Sequence, residues 1–276
     1  MRAAVVGHVE WVQFARVTRV PGAGEIVHAR ESWEEAAGGG AVAAVQLARL
    51  AGGALFLTAL GDDELGRRAR DELVAHGVGV DIAWRTVAQR RAFTFLDDAI
   101  ERTITVMGER IVPLGRDQLC WSELGDVEAV YFTGGDAEAL RAARAARVLV
   151  ATPRAREAIA ASGVTLDVLV RSGTDPGEVY EPGEFDPAPR AVITTLGERG
   201  GRWESVEGGS GEFRAAALPG PKVDAYGAGD CFAAGLTHGL ASGMDLAGAL
   251  ELASRCGAAC LAGRGPYGNQ LGDEVR

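Results

Sequence analysis

Lysine is almost missing from this chain. Lys222 is the single lysine among 276 residues, and Asn269 the single asparagine. Walker-type NTPases need a lysine inside G-x-x-x-x-G-K-[ST], and protein kinases need a strand lysine paired to a helix glutamate. Neither machine can be assembled here, so any nucleotide chemistry must rest on backbone amides and arginines. Positive charge is also in deficit: the formal net charge is −10 and the isoelectric point near 5.0. That balance excludes the basic face a nucleic-acid surface requires. Four cysteines, Cys120, Cys231, Cys256 and Cys260, form no C-x-x-C pair. The last two stand at i, i+4 in an alanine-rich run, which reads as free core thiols rather than metal ligands or a disulfide. No apolar run nears the ~20 residues of a membrane span, and residues 1–7 lack the apolar core of a signal peptide. A cytoplasmic protein with no membrane partner is expected.

Glycine, by contrast, is abundant, and its placement is informative. In 223–243, VDAYGAGDCFAAGLTHGLASG, residues Gly227, Ala228, Gly229 and Asp230 precede an apolar, proline-free segment that reads as a buried helix. A glycine turn opening a helix leaves unpaired N–H groups at the positive end of the helix dipole, which suits phosphate. The Asp230 carboxylate there can take a proton from a nearby hydroxyl. The plainer alternative is that Asp230 caps the helix.

This stretch resembles the C-terminal signature of the ribokinase-like (PfkB) carbohydrate kinases, Asp-Thr-x-Gly-Ala-Gly-Asp. Asp224, Gly227, Ala228, Gly229 and Asp230 stand where the motif asks, and Ala225 replaces its threonine. The resemblance implies that the Gly-Ala-Gly amides hold the transferring phosphoryl group and that Asp230 is the base. The family's N-terminal Gly-Gly element is matched by Gly38 and Gly39, with Val42 where a sugar-binding Asn is expected. Thr195, Gly197 and Gly200 match the nucleotide turn Thr-x-Gly-x-x-Gly. Asp224 and, in the last helix, Ala258 are further nucleotide-side expectations. Arg102 stands where the family carries an arginine toward the substrate. In place of Asn-x-x-Glu the chain offers 172–175, Ser-Gly-Thr-Asp, which leaves Asp175 or Glu178 as the carboxylate for Mg²⁺, with a merely solvated acidic loop as the alternative.

The resemblance implies a ribokinase-like three-layer α/β/α fold: a mostly parallel central sheet and a small β-sheet lid. It implies one domain over 1–276, with the lid from about 10–33 and 88–108. Strands are expected at 3–7, 54–60, 129–133, 148–151, 168–170 and 191–195. The lid hairpins are expected at 12–20 with 25–33, and at 91–96 with 102–107. Helices are expected at 41–50, 64–76, 136–146, 153–162 and 246–262. Asp62 either contacts the sugar or caps the second of these helices, capping being the safer reading. ATP and Mg²⁺ are the implied cofactors, with a monovalent cation left open, and a homodimer through the lid is the implied assembly. A rival dinucleotide reading of Gly38, Gly40 and Ala43, with Asp62 on a ribose, needs a strand directly before Gly38, and 33–37 is a poor one.

The implied activity is ATP-dependent phosphorylation of a hydroxyl on a small sugar or nucleoside. The alternative is an inactive relative that senses a metabolite. Val12 and Val42 replace the family's hydroxyl-gripping Asp and Asn. An acceptor less hydroxylated than ribose, or differently substituted, is therefore expected. Glu10, two residues before Val12 on an extended strand, would receive one hydroxyl or a cationic group.

Overall fold

The computed structural model describes residues 2–272; Met1 and 273–276, included in the expected single domain, lie outside the described residues. In chain order the strands and helices are β1 (Ala3–His8), β2 (Glu10–Arg16), β3 (Glu31–Ala37), α1 (Gly39–Ala51), β4 (Ala54–Gly61), α2 (Glu64–Ala75) and β5 (Val78–Arg85). There follow β6 (Arg91–Leu96), β7 (Arg102–Met107), β8 (Ala129–Phe132), α3 (Ala137–Ala143), β9 (Val148–Ala151), α4 (Arg156–Ser162) and β10 (Val168–Ser172). The chain closes with β11 (Ala191–Thr195), β12 (Gly201–Ser205), β13 (Ser210–Phe213), α5 (Ala228–Ala241) and α6 (Leu246–Leu261).

Nine strands form one sheet in the order β13-β12-β11-β10-β9-β8-β1-β4-β5, parallel from β11 through β5, with β12 and β13 antiparallel at one edge. The short apolar runs of β1, β8 and β9 are buried at every residue, as strands covered on both faces must be. Alternate residues supply two cores. Val5, Tyr131 and Val150 pack with α1, α5 and α6, while Ala4, Val6, Val130 and Leu149 pack with α3 and α4. The result is the three-layer α/β/α arrangement of the ribokinase-like fold. A separate four-stranded sheet, β3-β2-β6-β7, is the smaller layer. Helices α5 and α6 approach closely at Gly235 and Gly239. A Cβ on Gly235 would stand 2.7 Å from Cys256 Sγ, and one on Gly239 would stand 2.9 Å from Ala249. All four cysteines are free thiols, three of them buried. No helix among the described residues is long and apolar enough to cross a membrane.

Several details differ from the expectation. The first lid hairpin pairs Glu10–Arg16 with Glu31–Ala37, and 17–30, around Pro21 and Gly24, is the connection rather than strand. The segment 33–37, unpromising because of its two glutamates, is therefore a strand. Its alternating exposure lets Glu34 sit toward solvent while Ala36 and Ala37 are buried. It lies in the small sheet, antiparallel to β2, so the β-α-β unit that a dinucleotide site needs is not formed there. Strand β5 was not foreseen. It is an edge strand pairing only with β4, its residues mostly half-buried, so the hydrophobic signal is diluted by Gly79 and Asp81. At α2 the cap is Asp63, accepting from Gly66 N at 2.9 Å, while Asp62 pairs with Arg67.

Candidate active site

The strand order places a topological switch at β1 and β8. From β1 the chain winds out through β4 to β5, and from β8 it winds the other way through β9 and β10 to β11. Crevices for ligands open at the carboxyl ends of strands at such a point. The groups found there are His8 ending β1, Thr133 and Gly134 after β8, Arg154 after β9, and Ser172 ending β10. Gly7 fits against Thr133 with no room for a Cβ, which would lie 2.1 Å from Thr133 Oγ1.

Two helices begin at this crevice. The first, α1, is capped by Gly38 at φ 88, a left-handed conformation suited to glycine, with no side-chain cap. The second, α5, is capped by Gly227 at φ 82, again without a side-chain cap, and Cys231 N makes its first return bond to Gly227 O at 2.9 Å. The opening N–H groups of α5, on Ala228, Gly229 and Asp230, are thus the orphan donors of a helix start. The strained position is Gly227; Gly229 is ordinary helix, exposed, with nothing within 4 Å of a built Cβ.

Asp230 does not cap its helix. Its carboxylate rests on the start of α1 instead: a Cβ on Gly39 would lie 2.8 Å from Asp230 Oδ1, so any side chain there would push the carboxylate out of place. The two glycine motifs, nearly 190 residues apart in sequence, therefore meet at one carboxylate. Burial pushes the Asp230 carboxyl up to about 6, with the Glu178 carboxylate adding to the rise and Arg102 and Arg154 opposing it.

The other expected residues separate into groups. Glu10 is buried and ion-paired to Arg90, Nε to Oε1 2.8 Å, with His8 Nε2 at 3.9 Å. Arg90 of the chain itself thus engages the carboxylate expected to receive a substrate hydroxyl or cationic group. Val42 is fully buried, its Cγ1 lying 3.0 Å from where a Gly227 Cβ would stand, and it supports the anion turn from beneath. Val12 is fully buried in β2. Asp224 is buried too, its two oxygens accepting from Tyr226 N at 2.8 Å and Gly265 N at 3.0 Å, so it ties the turn to the loop after α6. Arg102 reaches from β7 to the carbonyl of Ala225, and Arg16 from β2 to that of Val223 at 3.4 Å, which fastens the small sheet over the turn.

On the nucleotide side, the Thr195 hydroxyl donates to Arg171 O at 3.3 Å, and Gly197, at φ 61, faces open space. Gly200 is required by packing, because a Cβ would lie 2.0 Å from Phe213 O. Next to it lies a cavity of about 560 Å³ lined by Phe213, Ala215, Ala216, Ala247 and Ser254. Ala258, in α6, is buried. Asp175 and Glu178 both engage Arg154, Glu178 Oε1 at 3.1 Å from its Nε, and Glu178 Oε2 accepts from Ser172 N at 2.7 Å. No group of three or more His, Cys, Asp or Glu able to hold a metal is found among the described residues.

Sequence reasoning missed His8, Arg90, Arg110 and Arg154. The Arg110 guanidinium donates to His8 Nδ1 at 3.0 Å, to Thr133 O at 2.7 Å and to Arg154 O at 2.9 Å. Burial first, then the charge of Arg110, hold the His8 imidazole well below its usual pKa, so it is neutral at physiological pH. The available signals were a histidine directly after the first strand's glycine and an arginine three residues beyond a buried strand, in Thr152-Pro153-Arg154.

The three-layer sheet, its switch point and its separate small sheet define an α/β protein of ribokinase-like fold. Comparison with known proteins makes this specific. The pfkB family carbohydrate kinase pattern matches residues 2–175 and 146–270, and the chain belongs to that family. It is 28% identical over 274 residues, 94% of this chain and 91% of the relative, to an ATP-dependent ribose-1-phosphate kinase of Halopiger xanaduensis. Its fold matches the ribokinase of Giardia lamblia with a TM-score of 0.80 at 17% identity, covering 99% of this chain and 97% of that one. The Arabidopsis thaliana ribokinase complexed with ribose and ATP matches with a TM-score of 0.76 at 18% identity, covering 97% and 95%.

Proposed function

We propose that this carbohydrate kinase transfers the γ-phosphoryl group of ATP to a hydroxyl of a small sugar or nucleoside, with Asp230 as the general base. The observation that carries the reading is the Asp230 carboxylate, held against Gly39 at the mouth of two helix starts. Raised to about 6, it is largely ionised at neutral pH, yet basic enough to accept a hydroxyl proton. The N–H groups of Ala228 and Gly229 donate to the transferring phosphoryl oxygens, where charge builds in the transition state. Gly197 offers a second open backbone turn for the ATP phosphates, and the cavity beside Phe213 and Ser254 accommodates the nucleoside.

Mg²⁺ suits the donors present. It is held by one or two carboxylates, waters and substrate phosphates rather than by an all-protein cage. Asp175 and Glu178 are hard oxygen ligands, and Glu178 is close enough to Asp230 to raise its pKa. These two residues would hold the ion, which supplies charge neutralisation on the β- and γ-phosphates. Arg154, paired to both in the chain alone, then becomes available to phosphate.

The test is ADP release in Mg²⁺ with a panel of ribose, phosphorylated pentoses and nucleosides, with Asp230→Asn run alongside. Acceptor-dependent ADP release by the wild type alone is expected. Equal release by both proteins would remove the site from the reaction. For assembly, β7 is exposed along its whole length and carries Ile104, Val106 and Met107 at the edge of the small sheet. This supports a dimer through that sheet, for which sedimentation equilibrium should give twice the 28.7 kDa of the chain. A monomer mass at micromolar concentration would contradict it.

A further inference from the structure

Arg110 is a buried cation with no carboxylate in ion-pair contact among the described residues. Its three donated bonds go to a neutral imidazole and two carbonyls. Burial first, then the like charge of Arg90, pull its pKa down to about 10, with Arg154 adding to the fall and Glu10 opposing it. Three donated bonds leave two of the five guanidinium N–H groups unspent. Arg90 is underused as well. Its Nε lies 2.8 Å from Glu10 Oε1 but is poorly aligned on the carboxylate, so the pair is an ion pair more than a well-formed hydrogen bond. Burying like charges side by side with unspent donors is costly unless an anion joins them.

The location says which anion. Gly38 abuts Glu10 and His8, and the next residue, Gly39, abuts Asp230, so the arginine group and the base flank one glycine pair at the end of β1. Glu10 also contributes to the Asp230 pKa, which places the two carboxylates in one electrostatic site. An acceptor whose hydroxyl lies at Asp230 therefore extends toward Arg90 and Arg110. Neutral hydroxyls would leave Glu10 as the one carboxylate facing two buried guanidinium groups, one positive charge short of balance. A phosphomonoester offers several acceptor oxygens and up to two charges, and guanidinium forks bind it well. Val12 and Val42, both fully buried, contribute no polar group for sugar hydroxyls.

Resting on the kinase reading above, we propose that Arg90 and Arg110 form an anion subsite for a phosphate already present on the acceptor, so that the preferred substrate is a sugar monophosphate and the product a bisphosphate. The transfer conserves atoms and charge. The acceptor O–H bond breaks, its proton passing to Asp230. The acceptor oxygen bonds to the γ-phosphorus as the bond from that phosphorus to the β–γ bridging oxygen breaks, releasing ADP.

The test uses ribose-1-phosphate, ribose-5-phosphate, ribose and gluconate as probes. Calorimetric binding is measured without ATP and turnover with MgATP, for wild type, Arg110→Gln, Arg110→Lys and Arg90→Gln, each checked by thermal unfolding. The expected result is a phosphorylated pentose preferred over ribose by at least 100-fold in kcat/KM. In Arg110→Gln and Arg90→Gln that preference should shrink about 10- to 100-fold, mostly through KM, with partial recovery in Arg110→Lys. If Arg110→Gln fails to fold, Arg90→Gln carries the comparison alone. Efficient turnover of ribose with no phosphate preference overturns the subsite and leaves the kinase reading standing. Preference for gluconate over both phosphates also overturns it. Binding of a pentose phosphate that weakens in the variants, without turnover, upholds the subsite and overturns the kinase reading. Neither binding nor turnover overturns both.

Discussion

Replacing Asp230 by Asn is expected to lower kcat by about 10²- to 10⁴-fold, the usual worth of a positioned general base, with the fold and ATP affinity nearly intact. The carboxylate caps nothing and sits beside space that Gly39 keeps free, so an isosteric amide should disturb little of the packing. The same group sets the pH dependence. Its pKa is raised to about 6, and the base works only when deprotonated. The wild-type kcat/KM should therefore fall about tenfold per pH unit below pH 6 and be flat above it until another group titrates. Rapid kinetics from pH 5 to 8 read both effects. A mutant as fast as wild type, or a profile flat through pH 6, would take Asp230 out of the chemistry.

Gly229→Val should be nearly as damaging for a different reason. The wild-type position is ordinary helix with no atom within 4 Å of a built Cβ, so the valine adds no steric conflict within the protein. It projects into the space in front of the orphan N–H groups instead, and blocking an oxyanion donor costs roughly 3–4 kcal/mol, or about 10²–10³ in kcat. Gly227→Val is the contrasting control. At φ 82, with Val42 Cγ1 and Pro266 Cβ each 3.0 Å from its built Cβ, it should lower the melting temperature, whereas Gly229→Val should not. Full activity in a folded Gly229→Val protein would mean that no phosphoryl group passes there.

The buried strands and the glycine-led start of α5 were legible in the sequence because their signals are local. Continuous apolar runs mark β1, β8 and β9, and Gly227 to Asp230 lies directly before its helix. The edge strand β5 and the glutamate-bearing β3 were not, since half-buried edge positions tolerate polar residues and periodicity weakens. What the sequence concealed most fully was electrostatic. Nothing local distinguishes Arg90 and Arg110 from the many other arginines, and even Arg154, just beyond a buried strand, takes its meaning only when the ends of β1, β8 and β9 converge on His8 and Glu10. The mirror image of this is Val42, read as a pocket position by its register, which the fold buries beneath Gly227.

The most direct measurement follows labelled phosphate from γ-labelled ATP in the presence of Mg²⁺ and a pentose or pentose phosphate. The account predicts that the wild type moves the label into an acceptor one phosphoryl group heavier, with stoichiometric ADP, and that Asp230→Asn binds ATP but leaves the label in place. Label that remains in ATP with every acceptor, or appears only as inorganic phosphate, would contradict it.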